Sequence, residues 1–415
     1  MRVLMIAPEP FREPRGTPIS VFLRLQALAS LGHSVDLATY HLGEDVDLPG
    51  VAIHRIPRVP FVDQVRVGPS WQKLLLDHLL FWKAVAMLAR RRYDVIHSHE
   101  EAAFFSILLS ALFRTRHVYD MHSSLPRQLD NFGYGRYRPL VWLFALLERW
   151  AVNSCDVVIT IGSDLERRVK AINPRARHFR IENLPVQSAG LCADAEAVAR
   201  LRGRLGADGR FPVLYTGTLE RYQGLDMLVE SAAIVGRRHP EVLFLVVGGK
   251  PGQVEQWRAE VRRRRLDGQV LFVGSVPLEE VPTYMELAEV LVSPRREGIS
   301  VPLKIYSYLF SGKPIVATNL ATHTLVLNEE VALLVDATAE AFAEGIVRLF
   351  RDPGLRRTLG LRARKLAEES YNPADYLARL DSVYRGLERP ASRPTGAAGA
   401  GIRTTPARGS DHITD

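Results

Sequence analysis

The feature that most constrains this chain is a run of short apolar segments alternating with amphipathic helical ones, which breaks off once and then begins again. Such alternation implies parallel sheets, because each parallel connection needs a crossover and a helix supplies it. Val3 to Ala7 reads as a strand, Ile19 to Leu31 as a helix stopped at Gly32, and Ser34 to Thr39 as the next strand. Further strands are expected at Ile53 to Ile56, Val95 to His97, His117 to Asp120 and Asp156 to Ile161, with a helix over Trp71 to Arg91. The pattern breaks at Asn183-Leu184-Pro185-Val186. It restarts with strands at Pro212 to Thr216, Val242 to Val247, Val270 to Val273, Val290 to Ser293 and Ile315 to Ala317.

The fold class is therefore α/β, with two doubly wound, Rossmann-like parallel sheets. The domains are expected at 1–185 and 186–370, and a length of 415 residues suits two of them. A last helix, 371–388, carries Tyr376, Leu380, Val383 and Leu387 on one face and is expected to cross back to the first domain. Beyond it, 389–415 is rich in Pro, Gly, Ala, Arg and Thr without periodicity and is expected to be disordered. Ligands of doubly wound sheets bind outside the carboxyl ends of the strands, so functional residues belong in loops that follow strands.

Two cysteines, Cys155 and Cys192, support neither a disulfide framework nor a zinc site and suit a reducing cytoplasm. The N-terminus reads as a buried strand rather than a signal segment, and Ala102 to Phe113 and Leu140 to Leu147 are too short to span a bilayer. Lys and Arg number 54 against 46 Asp and Glu, a formal charge of +8. That excess suits an anionic partner, whether nucleotide phosphate, acidic lipid or nucleic acid, and does not choose among them.

The post-strand loops carry the candidate chemistry. After the first strand, Gly16 permits close backbone approach and Thr17 is placed to cap a helix whose amides face the cleft. Neither GxGxxG nor a P-loop occurs. His97-Ser98-His99-Glu100 and Asp120-Met121-His122 stand at two strand ends. There a histidine either meets a sugar hydroxyl or serves as a satisfied structural residue, and His122 is the better ligand candidate. In the second domain, Gly217-Thr218-Leu219-Glu220-Arg221-Tyr222-Gln223-Gly224 is a glycine-bearing strand-to-helix turn with a cation, suited to a pyrophosphate. The segment Ser293 to Thr318 offers Arg296, Glu297, Gly298, Ile299, a Ser300 cap, Pro302 in the first turn, Lys304 and Ser307. Asp45-Val46-Asp47 lies in a connection away from any donor site and is not expected to bind metal.

Together these residues resemble glycosyltransferase family 4, the retaining enzymes of GT-B architecture, over roughly 1–388. The resemblance implies two facing domains, a nucleotide-sugar donor held mainly by the second, a saccharide or lipid-linked acceptor held mainly by the first, no required metal and no nucleic acid. It places Gly16 near the donor phosphates, His122 beside the transferred sugar and Glu297 on its hydroxyls. Donor contacts would come from Gly217, Thr218, Arg221, Gln223, Arg296, Gly298, Ile299, Ser300, Lys304 and Ser307, and acceptor contacts from Thr17, His99 and Glu100.

Family members usually carry an arginine where this chain has Thr218, a lysine where it has Gln223, and a second glutamate where it has Ser307. Arg221, Arg296 and Lys304 are the expected compensation for the missing cations. Two rival readings are a degenerate transferase acting as a binding partner in polysaccharide assembly, and a nucleotide-sugar epimerase. The helix from Trp71, with Leu75, Leu79, Trp82 and Val85 beside Lys73 and Lys83, is expected either to hold the protein weakly at an anionic membrane or to pack on its sheet.

Overall fold

The computed structural model describes residues 1–65, 70–131, 136–298 and 301–388. The expectations for Ile299, Ser300 and the tail 389–415 lie outside the described residues. The first sheet holds seven parallel strands: β1 (Arg2–Ala7), β2 (Ser34–Thr39), β3 (Val51–Arg55), β4 (Val95–His99), β5 (Arg116–Met121), β6 (Val157–Thr160) and β7 (His178–Arg180). Their order is β3-β2-β1-β4-β5-β6-β7. The second sheet holds β8 (Phe211–Thr216), β9 (Val242–Val247), β10 (Val270–Gly274), β11 (Val290–Ser293), β12 (Ile315–Thr318) and β13 (Leu333–Val335). Its order is β10-β9-β8-β11-β12-β13, all parallel.

Each sheet is wound outward from its first strand in both directions, so the chain direction reverses at β1/β4 and at β8/β11. These are the switch points, where the loops splay apart and leave a crevice. The strands are continuous apolar runs because helices cover both faces: Val3 to Ala7 and all of β8, β9 and β11 are buried. The edge strands β7 and β13, three residues each, were not expected. They are only partly buried for the most part and carry too short a pattern to signal a strand.

The chain passes between domains twice. The first crossing is at Leu184 to Val186, where the Val186 amide donates to Ser307 Oγ at 3.0 Å. The second precedes the helix Pro373–Arg385, capped by Asn372, whose side chain accepts from the Asp375 amide at 2.8 Å. That helix buries Tyr376, Leu380, Val383 and Tyr384 in the same core as β1, β2 and the helix Gly16–Ser30. The C-terminal helix is thus a structural part of the first domain.

Truncating its central anchor tests this. Leu380 has no exposed surface, so Leu380→Ala removes buried methyl groups and leaves a cavity, at a cost of about 2–5 kcal/mol. The urea midpoint of the first-domain transition, read from a fluorescence probe in that domain, is expected to fall accordingly. An unchanged midpoint would mean that the helix is not integral to that core.

Candidate active site

The two switch points face each other across a cleft of ≈ 370 Å³ lined from both domains. Of the residues expected there, Gly16, Thr17, Glu100 and His122 line it from the first domain. Gly217, Thr218, Gln223, Glu297, Gly298, Lys304 and Ser307 line it from the second.

On the second-domain wall the Gly217–Gly224 turn is docked onto the loop after β11. Gly224 sits at φ +73°, and a Cβ there would collide with the Pro294 carbonyl oxygen. The Arg296 amide donates to Tyr222 O at 3.0 Å. Here the structure corrects two expectations. The Arg296 side chain is turned away from the cleft lining and pairs with Asp226 at 3.0 Å, while its neighbour Arg295 lines the cleft, 9% exposed. Gly298 makes this possible, since a Cβ at that position would overlap the Arg295 guanidinium. Arg221 opens a short 3-10 turn with its side chain in solvent, outside the cleft lining, because the turn buries Gln223 instead.

Lys304 is the second cation of this wall. Its Nζ is buried without a hydrogen-bond partner and lies 3.7 Å from the Tyr215 ring centroid. Burial first, and then the charge of Arg295, pushes the Lys304 ammonium well below its usual range. Arg295 lies over the Tyr222 ring at 5.1 Å. The helix begins at Lys304 with Leu303 as its N-cap, so Pro302 precedes the helix rather than sitting in its first turn. Ser307, fully buried, is held by the Val186 amide across the domain crossing. Glu297 is exposed at the cleft edge.

On the first-domain wall, Thr17 is not a cap. Arg15 is the N-cap of Gly16–Ser30, without a side-chain cap bond, and Thr17 falls inside the first turn. Behind His122 lies a buried network centred on Asp120, which has no exposed surface. Arg24 Nε donates to Asp120 Oδ2 at 2.8 Å, His97 Nε2 stands 3.2 Å from the same oxygen, and His122 Nε2 stands 3.4 Å from Oδ1. Burial pushes the Asp120 carboxyl up, but Arg24 and then His122 overcome this and hold it well below the usual range. The Tyr384 hydroxyl meets His97 Nδ1 at 2.7 Å, and Arg24 also lies over Tyr376 at 5.0 Å. His99 is fully buried at 3.1 Å from His122 Nε2. It is absent from the cleft lining and contacts His122 instead, so the structure does not place it for the direct acceptor contact expected.

His97, His99 and Asp120 bring three potential metal-ligand atoms within 4.8 Å, but Arg24 already supplies a cation there. Asp45 is bound instead to Arg55, whose Nη2 lies 2.7 Å away.

Arg295, Arg24 and Tyr384 escaped the sequence reading. Arg24 left a usable signal, a charge inside an otherwise apolar helix face next to Val21 and Leu28. Arg295 and Arg296 are indistinguishable until the loop's path is known.

Two domain families match the chain: "Glycosyl transferase 4-like domain" over residues 24–185 and "Glycosyl transferases group 1" over 210–352. The chain is 26% identical to alpha-D-kanosaminyltransferase of Streptomyces kanamyceticus over 70% of its own length and 77% of the relative's. It is also 26% identical to the phosphatidyl-myo-inositol mannosyltransferase of Mycobacterium tuberculosis strain H37Rv, over 86% and 89%. Among solved structures it is similar to sucrose-phosphate synthase from Thermosynechococcus elongatus, with TM-score 0.75, 22% identity, and 93% and 98% of the two chains covered. Anabaena HepE in complex with UDP and glucose superimposes with TM-score 0.71 at 16% identity, over 92% and 99%.

Glu100 gives the site a measurable signature. Burial, and then the neighbouring Glu101 working against His122, pushes its carboxyl up to about 7. In the unfolded chain it titrates near ~4.3. The protonated acid therefore favours the fold fully below the lower value, and that contribution is lost as pH rises through about 7. Glu100→Gln keeps an acceptor for the Ser123 hydroxyl, which donates to Glu100 Oε2 at 2.8 Å. The variant is expected to match the parent in urea midpoint at pH 4 and to exceed it at pH 8, by up to roughly 3 kcal/mol. Parallel stability at both pH values would refute the shifted carboxyl.

Proposed function

The chain belongs to the GT-B glycosyltransferases of family 4, and from that premise we propose that it moves a hexosyl group from a nucleoside diphosphate-sugar, with retention, onto an acceptor held by the first domain. The observation that carries this reading is the buried, unpartnered Lys304 ammonium beside Arg295 on the cleft wall. A cation that burial has destabilised gains most from a dianionic ligand, and a pyrophosphate brings that charge.

In the proposed reaction the acceptor oxygen bonds to the sugar's anomeric carbon on the face that the diphosphate leaves. The carbon–oxygen bond to phosphate breaks, and the acceptor proton passes to a leaving phosphate oxygen. Lys304 and Arg295 stabilise the charge that grows on that oxygen, and the reading therefore assigns the neutralisation to side chains and not to a metal. Glu297 receives sugar hydroxyls from the cleft edge. His122, fixed by Asp120, faces the transferred sugar from the opposite wall. The two curated relatives above are transferases by name, which does not favour an epimerase or a non-catalytic partner.

We also place the protein at an anionic membrane surface. No helix of the described residues is long and apolar enough to cross a membrane. Three neighbouring first-domain helices nevertheless expose large apolar side chains: Trp71 and Trp82, Leu108 and Leu112, Trp142 and Leu146, all between 48% and 72% exposed. Leu75, Leu79 and Val85 are partly buried on the sheet side instead. Lys73 is not part of this face, since it turns into the cleft and pairs with Glu101.

Two measurements test these readings. Lys304→Ala and Arg295→Ala are each expected to weaken nucleoside diphosphate binding and lower kcat by about 10²-fold, with Glu297→Ala losing transfer while folding normally. Arg221→Ala should bind the diphosphate as the parent does, since its side chain lies outside the cleft lining. Calorimetry showing full affinity in both Lys304→Ala and Arg295→Ala would remove the phosphate assignment. Separately, flotation with phosphatidylglycerol vesicles at low salt should carry the parent upward and leave a Trp71→Ser/Trp82→Ser/Trp142→Ser variant at the bottom of the gradient. A parent that stays at the bottom would refute the membrane placement.

A further inference from the structure

The two walls of the cleft carry ionisable groups of opposite kind. Facing Lys304 and Arg295, the first domain presents Glu9, Glu100 and Glu101. Glu9 and Glu100 are each only 7% exposed. The cations of that wall are already engaged: Lys73 pairs with Glu101, and Arg15 Nε stands 2.9 Å from Glu13 Oε2. Asp77, bonded by the Tyr40 hydroxyl, adds a further acid behind Glu101 and Lys73. Glu9 Oε1 is left buried with no hydrogen-bond partner. Burial, and then Glu100 and Glu101 working against Arg15 and Lys73, pushes the Glu9 carboxyl well above its usual range.

We infer that this wall is the acceptor subsite for an amine-bearing saccharide or cyclitol, whose ammonium group supplies a cation to Glu9 and Glu100, the two wall acids that no lysine or arginine of the described residues pairs. The inference rests on the transferase reading and narrows its acceptor. Neutral hydroxyls exchange hydrogen bonds with these carboxyls but bring no charge, so burial still disfavours the ionised form beside them, whereas an ammonium group lets a buried carboxyl ionise and pair. A phosphate-bearing acceptor group would add like charge to the same wall. A metal ion is not the fitting cation, because the glutamates' oxygens do not converge. Among the described residues, only His97, His99 and Asp120 gather three potential ligand atoms within 4.8 Å of one another.

The test uses the full chain and a matched set of probes: 2-amino-, 3-amino- and 6-amino-deoxyglucose against glucose and glucose 6-phosphate. Affinities are read by saturation-transfer NMR at pH 7, with UDP, GDP and ADP binding measured on the same samples. At least one aminodeoxyglucose is expected to bind roughly tenfold tighter than glucose, the gain of a charge-assisted hydrogen bond, and glucose 6-phosphate is expected to bind weakest. Glu9→Gln should abolish the amine preference while leaving nucleotide affinity unchanged and the melting temperature at pH 7 no lower than the parent's. Amino sugars that bind no tighter than glucose, a preference for glucose 6-phosphate, or an amine preference that survives Glu9→Gln would each overturn the inference. Amine preference in a chain that binds no nucleoside diphosphate would support the subsite and overturn the transferase reading instead.

Discussion

A single buried carboxylate, Asp120, organises the first domain around its binding wall. It lies at the carboxyl end of β5 without exposed surface, and Arg24, His97 and His122 converge on it from a helix, a neighbouring strand and the loop after its own strand. An isolated carboxylate could not remain ionised there, because burial alone would raise its affinity for a proton. The guanidinium of Arg24 makes the charge tenable, and the charge in turn fixes the rotamers of the groups around it. Removing either partner would leave the other uncompensated, at a cost of about 3–5 kcal/mol. His122 thereby reaches the cleft with one ring nitrogen already oriented.

The same network explains why the chain returns to its first domain after building the second. Tyr384 meets His97 and Tyr376 lies under Arg24, so the last helix closes the far side of the ion pair and keeps water from it. Sequence ends separated by more than 280 residues are thus joined at one buried charge. The other crossing is fixed by Ser307 and the Val186 amide. A serine at this position holds the domain linker, and its short side chain leaves open the space that a longer one would fill beside the cleft. Arg12 adds a third tie, pairing with Glu44 of its own domain and with Glu279 of the other.

Much of this fold was legible because parallel strands covered on both faces are continuous apolar runs, and such runs are hard to mistake when helices separate them. The same logic failed for β7 and β13, whose three residues offer no period to read. In the cleft, the sequence identified His122, Glu297, Lys304 and the Gly217 turn through their positions after strands, and the structure brings all of them to one cavity. It misassigned the arginines, because Arg295 and Arg296 differ only in which side of the loop they occupy, and that depends on Gly298 yielding space to one of them. Arg221 was misread for a related reason. Spacing within a turn says nothing about which side chain the turn buries, and here it buries Gln223. Glu9 could not be weighed from the sequence, since its significance arises only from Glu100 and Glu101, more than 90 residues away and brought beside it by the pairing of β1 with β4.

Lys304 on one wall and Glu9 on the other are the same physical situation with opposite sign. Each is an ionisable group buried beyond what its own protein partners balance, and each faces the space between the domains. Neither arrangement favours the empty fold, since burying charge without a partner lowers stability. The stabilising contacts lie behind the walls, in the paired sheets and the Asp120 network, from which only His122 reaches the cleft. That division lets the cleft hold unpartnered ionisable groups while the domains stay folded. A ligand that brought phosphate to one side and a cation to the other would then bind with free energy already stored in the walls, and would favour their approach by mass action.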